Sequence, residues 1–256
     1  MISDKAVIDP KAKIAPNVTI GHFSVIGPDV EIDEGTWVGP HVVIQGPTKI
    51  GKNNHFFQFS SIGEAPQDKK YKGEATQLII GDNNTFRECV TVSRGTTQGG
   101  GKTEIGHNNL FMAYVHIAHD CIVGSHTVFS NNASLAGHVI VNDYANLGGL
   151  VGVHQFCTIG SYSFCGGGSI VVKDVAPYVM VSGYPAVTHG LNVEGLKRRG
   201  FEPDVISSLK RAYKILFRQG LTIEQSVEKI LESEESSKWI ELLTNFVKNS
   251  ERGIIR

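Results

Sequence analysis

The stretch that decides the fold is IGHNNLFMAYVHIAHDCIVGSHTVFSNNASLAGHVIVNDYANLGGLVGVHQFCTIG, residues 105–160 of a 256-residue chain. Every sixth residue in it is apolar: Ile105, Phe111, Ile117, Val123, Phe129, Leu135, Val141, Leu147, Val153 and Ile159. The run extends to Cys165 and Val171. An equally strict run precedes it: Ile2, Ile8, Ile14, Ile20, Ile26, Ile32, Val38, Ile44, Ile50, Phe56 and Ile62. All 23 positions are apolar, and chance agreement is on the order of 10⁻¹². A period of six is not that of a helix, and six residues are too few to fold alone. The solution is a parallel β-helix, short strands joined by tight corners with the register residue turned into a narrow core. Three hexads make one coil of 18 residues, and coils stack about 4.8 Å apart.

Glycine follows the register residue in ten of the 23 hexads. Corners need positive φ or close backbone approach, which suits Gly, Asn and Asp. Two interruptions break the register, EAPQDKKYKGEATQL after Gly63 and the Gly-rich SRGTTQGGGKTE after Val92. External loops are expected near 64–79 and 93–104, and loops on a rigid scaffold often carry function. The 13-residue step from Val92 to Ile105 reads as one residue beyond two hexads.

The β-helix is expected over 1–187 and a small helical domain of about three helices over 188–256. Residues 190–256 hold 12 basic and 10 acidic residues, a far higher charge density than the rest. Val205, Leu209, Ala212, Tyr213 and Leu216 form one helical stripe, and Trp239, Leu242, Leu243 and Phe246 another. Thr222 with Gln225 has the spacing of a capping box. The net charge of −1 argues against nucleic-acid binding. No apolar run spans a bilayer and no signal peptide is evident, so no stable membrane insertion and a cytoplasmic location are expected. The four cysteines contain no C-x-x-C pair and read as reduced, buried small residues.

Coil arithmetic gathers four histidines, His116, His119, His138 and His154. His119, Gly137 and Gln155 are 18 residues apart and stack on one column, with Asp120 and His138 on the next. One reading is a polar ladder on a sheet face. The other is a general base with a neighbouring carboxylate, since an imidazole with an unperturbed pKa near 6.5 removes protons at neutral pH. A glycine there also lets a carbonyl approach a backbone N–H, as an oxyanion site requires. His116, His119 and His138 are also a conceivable zinc set, but that leaves Gln155 and both loops unused; no metal is expected.

AYVHIAHD, LAGHV, VHQFC and NVEGLKRRGF, together with IGEAPQDKKYKGE, SRGTTQGGG and the terminal RGIIR, resemble the bacterial acyl-[acyl-carrier-protein]–UDP-N-acetylglucosamine O-acyltransferases. The resemblance covers essentially the whole chain and implies the left-handed form of the β-helix. It implies transfer of a 3-hydroxyacyl chain from acyl carrier protein to the 3-hydroxyl of UDP-N-acetylglucosamine, the first committed step of lipid A synthesis. His119 would be the general base, Asp120 its support and the N–H of Gly137 the oxyanion donor. Asp68, Lys70, His116, His138 and Gln155 would position sugar and diphosphate, and Asn192, Glu194, Arg198 and Arg199 the nucleotide. Gly167 matches the position that limits acyl length, with the bulkier Phe164 nearby. The family works as homotrimers with sites between prisms and needs no cofactor beyond the carrier-protein thioester. Arg94, Lys102, Lys173, Lys210 and Arg211 are candidate contacts for the acidic carrier protein. The sibling N-acyltransferase usually carries an extra N-terminal domain, for which hexads beginning at Ile2 leave no room. A 3-amino sugar nucleotide remains an alternative acceptor.

Overall fold

The computed structural model describes residues 1–256. Two- to four-residue strands recur every six residues and sort into three parallel sheets, each taking every third strand. Val7 pairs with Val25, Val25 with Val43 and Val43 with Ser61, so one coil is 18 residues long. The sheets wrap into a left-handed parallel β-helix of triangular section.

The register residues fill the axis. Phe56, Phe86, Phe111 and Phe129 stack with centroids 4.7, 4.8 and 5.1 Å apart, the spacing of the coils themselves. From Val18 onward the residue two before each register position is buried too, and at one corner it is asparagine. The Oδ1 of Asn54 accepts from the N–H and Nδ2 of Asn84, that of Asn84 from the N–H of Asn109, and that of Asn109 from the N–H and hydroxyl of Thr127. This ladder satisfies corner backbone that no water reaches. Replacing Asn84 by Ala keeps its own N–H bond but removes the Nδ2 bonds to Asn54 Oδ1 and the Gly106 carbonyl, and it strands the Asn109 N–H. A loss of about 2–4 kcal/mol is expected from urea unfolding; a change below about 0.5 kcal/mol would show the ladder to be dispensable.

At corners such as Gly21 and Gly39 the role of glycine is close approach, whereas Gly35, Gly63 and Gly168 take positive φ. A Cβ on Gly21 would lie 2.6 Å from Pro40 N in the next coil, and one on Gly39 would lie 2.9 Å from Phe56 O. Other left-handed corner positions go to residues such as His41, Asn53, Tyr114, Asp120 and His138.

Both excursions are shorter than the sequence suggests. The strands Ser61–Glu64, Gln77–Ile80, Thr91–Ser93 and Lys102–Ile105 extend inward, leaving 65–76 and 94–101 outside them. Ile80 pairs with Ile105, 25 residues on, so the second excursion inserts seven residues into a coil of 18. It is not an added hexad pair.

The β-structure runs to Leu191, past the expected boundary at 187/188. Val179–Gly183 adds to one sheet beside Phe164–Cys165, and Ala186–Leu191 returns antiparallel to it. Four helices follow: α1 (Val193–Arg198), α2 (Pro203–Arg218), α3 (Ile223–Ser233) and α4 (Lys238–Lys248). α1 is the one missed, because six residues are too few to show a helical period. The Thr222–Gln225 capping box forms as expected. The stripe of α4 is rotated, with Ile240, Leu243, Thr244 and Val247 buried and Trp239, Leu242 and Phe246 at its edge. The helices pack on the prism end, where Tyr178 donates to the Trp239 carbonyl.

The four cysteines are free. Burial pushes the thiols of Cys121 and Cys165 up to about 12 and that of Cys157 up to about 11, which keeps them protonated and inert. Cys89 departs from the expectation of burial. It sits half-exposed at a left-handed corner with φ 60°.

Candidate active site

One corner gathers the titratable side chains of His119, Asp120 and His138. The strand His116–Ile117 runs into a corner at Ala118–Asp120, where Asp120 has φ 61°. His138 and Phe156, one and two coils on, share that conformation with φ 62° and 65°. The bend therefore belongs to the corner and is not strain reserved for Asp120.

The imidazole Nδ1 of His119 lies 2.7 Å from Asp120 Oδ2, and their side chains are 15% and 1% exposed. Nδ1–H donates to the carboxylate, which leaves Nε2 as a lone-pair acceptor. The Asp120 carboxylate is itself gripped from the Gly-rich excursion. The N–H of Thr96 donates to Oδ1 at 2.7 Å, and the Thr96 hydroxyl donates to Oδ2 at 2.7 Å. The N–H of Asp120 donates to the Thr103 hydroxyl at 2.8 Å. Thr96, Thr103 and Gly99 were missed in the sequence because the seven-residue insertion removes them from the 18-residue count. Their only signal is that the insertion returns one coil below Asp120.

Gly137 lies under the imidazole. A Cβ there would sit 2.6 Å from His119 Cε1, so only glycine leaves the ring in place. The N–H of Gly137 donates to no group of the chain. His138 Nε2 is 3.7 Å from Asp120 Oδ2, and its ring stacks on Phe156 at 4.5 Å. His116 shares a 2.7 Å hydrogen bond with the Thr91 hydroxyl. His116, His119 and Gly137 open onto a cleft of about 480 Å³ whose lining includes Ala136, Gly152 and His154. The cleft is also bordered by Gln67 of the first excursion. A larger hollow of about 570 Å³ beside Lys13, Glu31 and Lys49 holds no histidine or cysteine.

Burial lowers His116 below its ordinary value of 6.5, with His119 adding to the effect. Burial also lowers His138, against the opposing pull of Asp120. Both take up a proton more readily unfolded than folded. The stability they confer is present above pH 6.5 and is lost as pH falls through their lowered folded values. The melting temperature should fall between pH 7.5 and 5.5, and less steeply in a His116→Gln/His138→Gln variant. Parallel profiles for the two proteins would contradict this.

The remaining candidates are dispersed. Asp68 is half-buried in the first excursion, close enough for its charge to act on His138. Lys70 is exposed beside it and donates its N–H to Asp68 Oδ1. Gln155 is exposed one coil beyond Gly137. Asn192 caps α1, accepting from Gly195 N and donating to the Tyr162 carbonyl, so its amide is already committed. Glu194 is exposed and paired with Lys197 at 3.0 Å. Arg198 and Arg199 line a separate hollow of about 430 Å³ with Tyr144, Tyr162, Phe201 and Trp239, and the Arg199 guanidinium lies 4.6 Å from the Tyr144 ring centre. Phe164 is on a different sheet from His116, and Gly167 stacks on Gly149 at another corner. Neither lines the His119 cleft of its own chain.

Three of the five candidate carrier-protein contacts are spent internally. Arg94 donates to the Gly63 carbonyl and the Tyr71 hydroxyl, Arg211 forms a two-pronged pair with Glu234, and Lys102 pairs with Glu104. Lys173 and Lys210 are exposed. No helix of the chain is long and apolar enough to cross a membrane.

Residues 174–255 match the family model described as UDP N-acetylglucosamine O-acyltransferase, domain 2, and residues 102–137 match that of the bacterial transferase hexapeptide. An acyl-[acyl-carrier-protein]–UDP-N-acetylglucosamine O-acyltransferase of Halorhodospira halophila is 55% identical over 255 residues, covering 100% of this chain and 99% of its own. The crystal structure of LpxA from Acinetobacter baumannii superposes with a TM-score of 0.97 at 50% identity, covering 100% and 99%. The UDP-N-acetylglucosamine acyltransferase of Bacteroides fragilis does so with 0.98 at 40% identity, covering 100% of both chains. With full-length identity of this order on a matching fold, the chain belongs to the acyl-[acyl-carrier-protein]–UDP-N-acetylglucosamine O-acyltransferase family.

Proposed function

We propose that the chain transfers a 3-hydroxyacyl group from the thioester of acyl carrier protein to the 3-hydroxyl of UDP-N-acetylglucosamine, a step of lipid A synthesis in the cytoplasm. The observation that carries the chemistry is the His119–Asp120 pair beside the unpaired N–H of Gly137. His119 Nε2 takes the proton of the sugar 3-hydroxyl as that oxygen attacks the thioester carbon. Asp120 keeps Nδ1 protonated and stabilises the imidazolium that forms. The Gly137 N–H donates to the tetrahedral oxyanion. Collapse breaks the C–S bond, and the imidazolium returns its proton to the leaving thiolate.

His116 lines this centre, and together with His138, Asp68, Lys70 and Gln155 it is assigned the sugar and diphosphate. Arg198 and Arg199, with their aromatic hollow, take the nucleotide, and Asn192 and Glu194 build the helix start beside it. Because Gly167 and Phe164 lie away from the His119 cleft, limiting the acyl chain requires a second copy, and the working form is a homotrimer. The exposed apolar residues Phe23, Phe59, Tyr114 and Leu150 support that packing. No metal or other cofactor is needed for this route. The one cluster with metal-ligand spacing is His119, Asp120 and His138, and its carboxylate already accepts from the Thr96 N–H, the Thr96 hydroxyl and His119 Nδ1, which supports the proton-transfer reading.

The test is a competition assay with a series of 3-hydroxyacyl carrier-protein thioesters, offering UDP-N-acetylglucosamine and its 3-amino analogue. Preferred turnover of UDP-N-acetylglucosamine is expected. Turnover confined to the 3-amino sugar would replace the ester by an amide.

A further inference from the structure

Asp120 is the one carboxylate of the cleft column, and its surroundings account for each of its oxygens. Oδ1 accepts from the Thr96 N–H at 2.7 Å, while Oδ2 accepts from both the Thr96 hydroxyl at 2.7 Å and His119 Nδ1 at 2.7 Å. Thr96 is 1% exposed, so its hydroxyl has no water to serve as an alternative partner. The excursion is shaped around this contact. Gly99 lies so close to the carboxylate that any Cβ would collide with it, and the Thr96 hydroxyl also accepts from the Gly99 N–H at 3.2 Å. The chain thus departs from its 18-residue coil by seven residues and, within them, presents two donors to one buried carboxylate.

We propose that Thr96 is a positioning residue for the acyl-transfer reaction: it completes a Thr96–Asp120–His119 relay that fixes the carboxylate as an anion and aims the imidazole into the cleft. The inference rests on the acyltransferase reading above. Its physical basis is that Oδ2 shares its acceptor strength between two donors. Without the Thr96 hydroxyl, Oδ2 becomes a stronger acceptor for Nδ1–H, holds the imidazolium more tightly, and loses one of the contacts that fix its plane. The imidazolium then returns its proton to the leaving thiolate less readily, and the ring is less well aimed for the attacking hydroxyl. Thr96 also caps the single 3₁₀ turn Thr97–Gly99 through its hydroxyl, and that role alone would alter the loop without touching the titration of His119.

The other charged and titratable groups around the relay are common to every variant compared. His138 faces Asp120 at 3.7 Å, His116 faces His119, Asp68 faces His138, and the buried thiol of Cys121 adjoins Asp120.

The test compares Thr96→Val and Thr96→Ser with the unaltered enzyme. Thr96→Val, which keeps the bulk and the N–H but loses the hydroxyl, should lower kcat roughly tenfold to a hundredfold, the scale of one hydrogen bond to a charged group. KM for the nucleotide sugar should stay within about twofold, and the acid limb of the kcat/KM profile should move to higher pH. Thr96→Ser should restore both rate and profile. Nitrogen-15 titration of the His119 ring in the free protein reads the same shift without turnover. Wild-type kcat and an unmoved acid limb in folded Thr96→Val would overturn the proposal, as would a normal ring titration. If Thr96→Val loses its native circular dichroism, Thr96→Cys takes its place, with an effect expected between those of Val and Ser. Absence of acyl transfer by the unaltered enzyme would instead defeat the acyltransferase reading, while the ring titration would still decide the relay.

Discussion

Replacing His119 by glutamine is expected to lower kcat by about 10³-fold while leaving the fold intact. The amide fills nearly the same space but cannot take the proton of an attacking hydroxyl, and general-base catalysis is worth roughly 10²–10⁴. The ring is 15% exposed and makes its one side-chain hydrogen bond to Asp120, so little of the core depends on it. Circular dichroism and the melting temperature should therefore be close to those of the unaltered protein. A variant that is folded and keeps more than about a tenth of the activity would remove His119 from the role of base.

The second large effect is expected at Gly137. A methyl group there would sit 2.6 Å from Cε1 and 2.9 Å from Nε2 of the His119 ring, tighter than contact allows. The imidazole must swing away from the N–H beneath it, parting the proposed base from the proposed oxyanion donor. A displacement of about 1 Å in an assembled site costs on the order of 10²-fold in rate. Gly137→Ala should thus lose about 10² in kcat without becoming markedly less stable, because the displaced ring opens onto the cleft. The assay to run is single-turnover acyl transfer at saturating carrier-protein thioester. An unchanged rate would mean that the ring has room to spare.

Which parts of this were legible in the sequence follows from what repeats. A strict hexad carries the coil with it, so His119, Gly137 and Gln155 fall on one column and Asp120 on the next by counting eighteens. The structure keeps that geometry, with Asp120 hydrogen-bonded to His119 and His138 one coil on. Counting stops where the chain leaves the coil. Thr96 reaches Asp120 only because a seven-residue insertion folds back, and no period announces that return.

Partnerships between charges were equally hidden. Arg94 and Arg211 look like free basic residues in the sequence, yet one ties the two excursions together and the other is held by a nearly buried Glu234. The glycines show the same limit. Their spacing was visible, but whether they serve positive φ or close contact depends on the coil above. At Gly21 and Gly39 that coil leaves no space for a Cβ.

In the proposed reaction this chain esterifies the 3-oxygen of a UDP-sugar with His119 as base. The most direct measurement follows purified protein with 3-hydroxyacyl carrier protein and UDP-N-acetylglucosamine. It records thiol release and locates the acyl group on the sugar by NMR. One thiol released per sugar acylated is expected, with the ester on the 3-oxygen. Thiol release without acylated sugar, or acylation at another position, would contradict it.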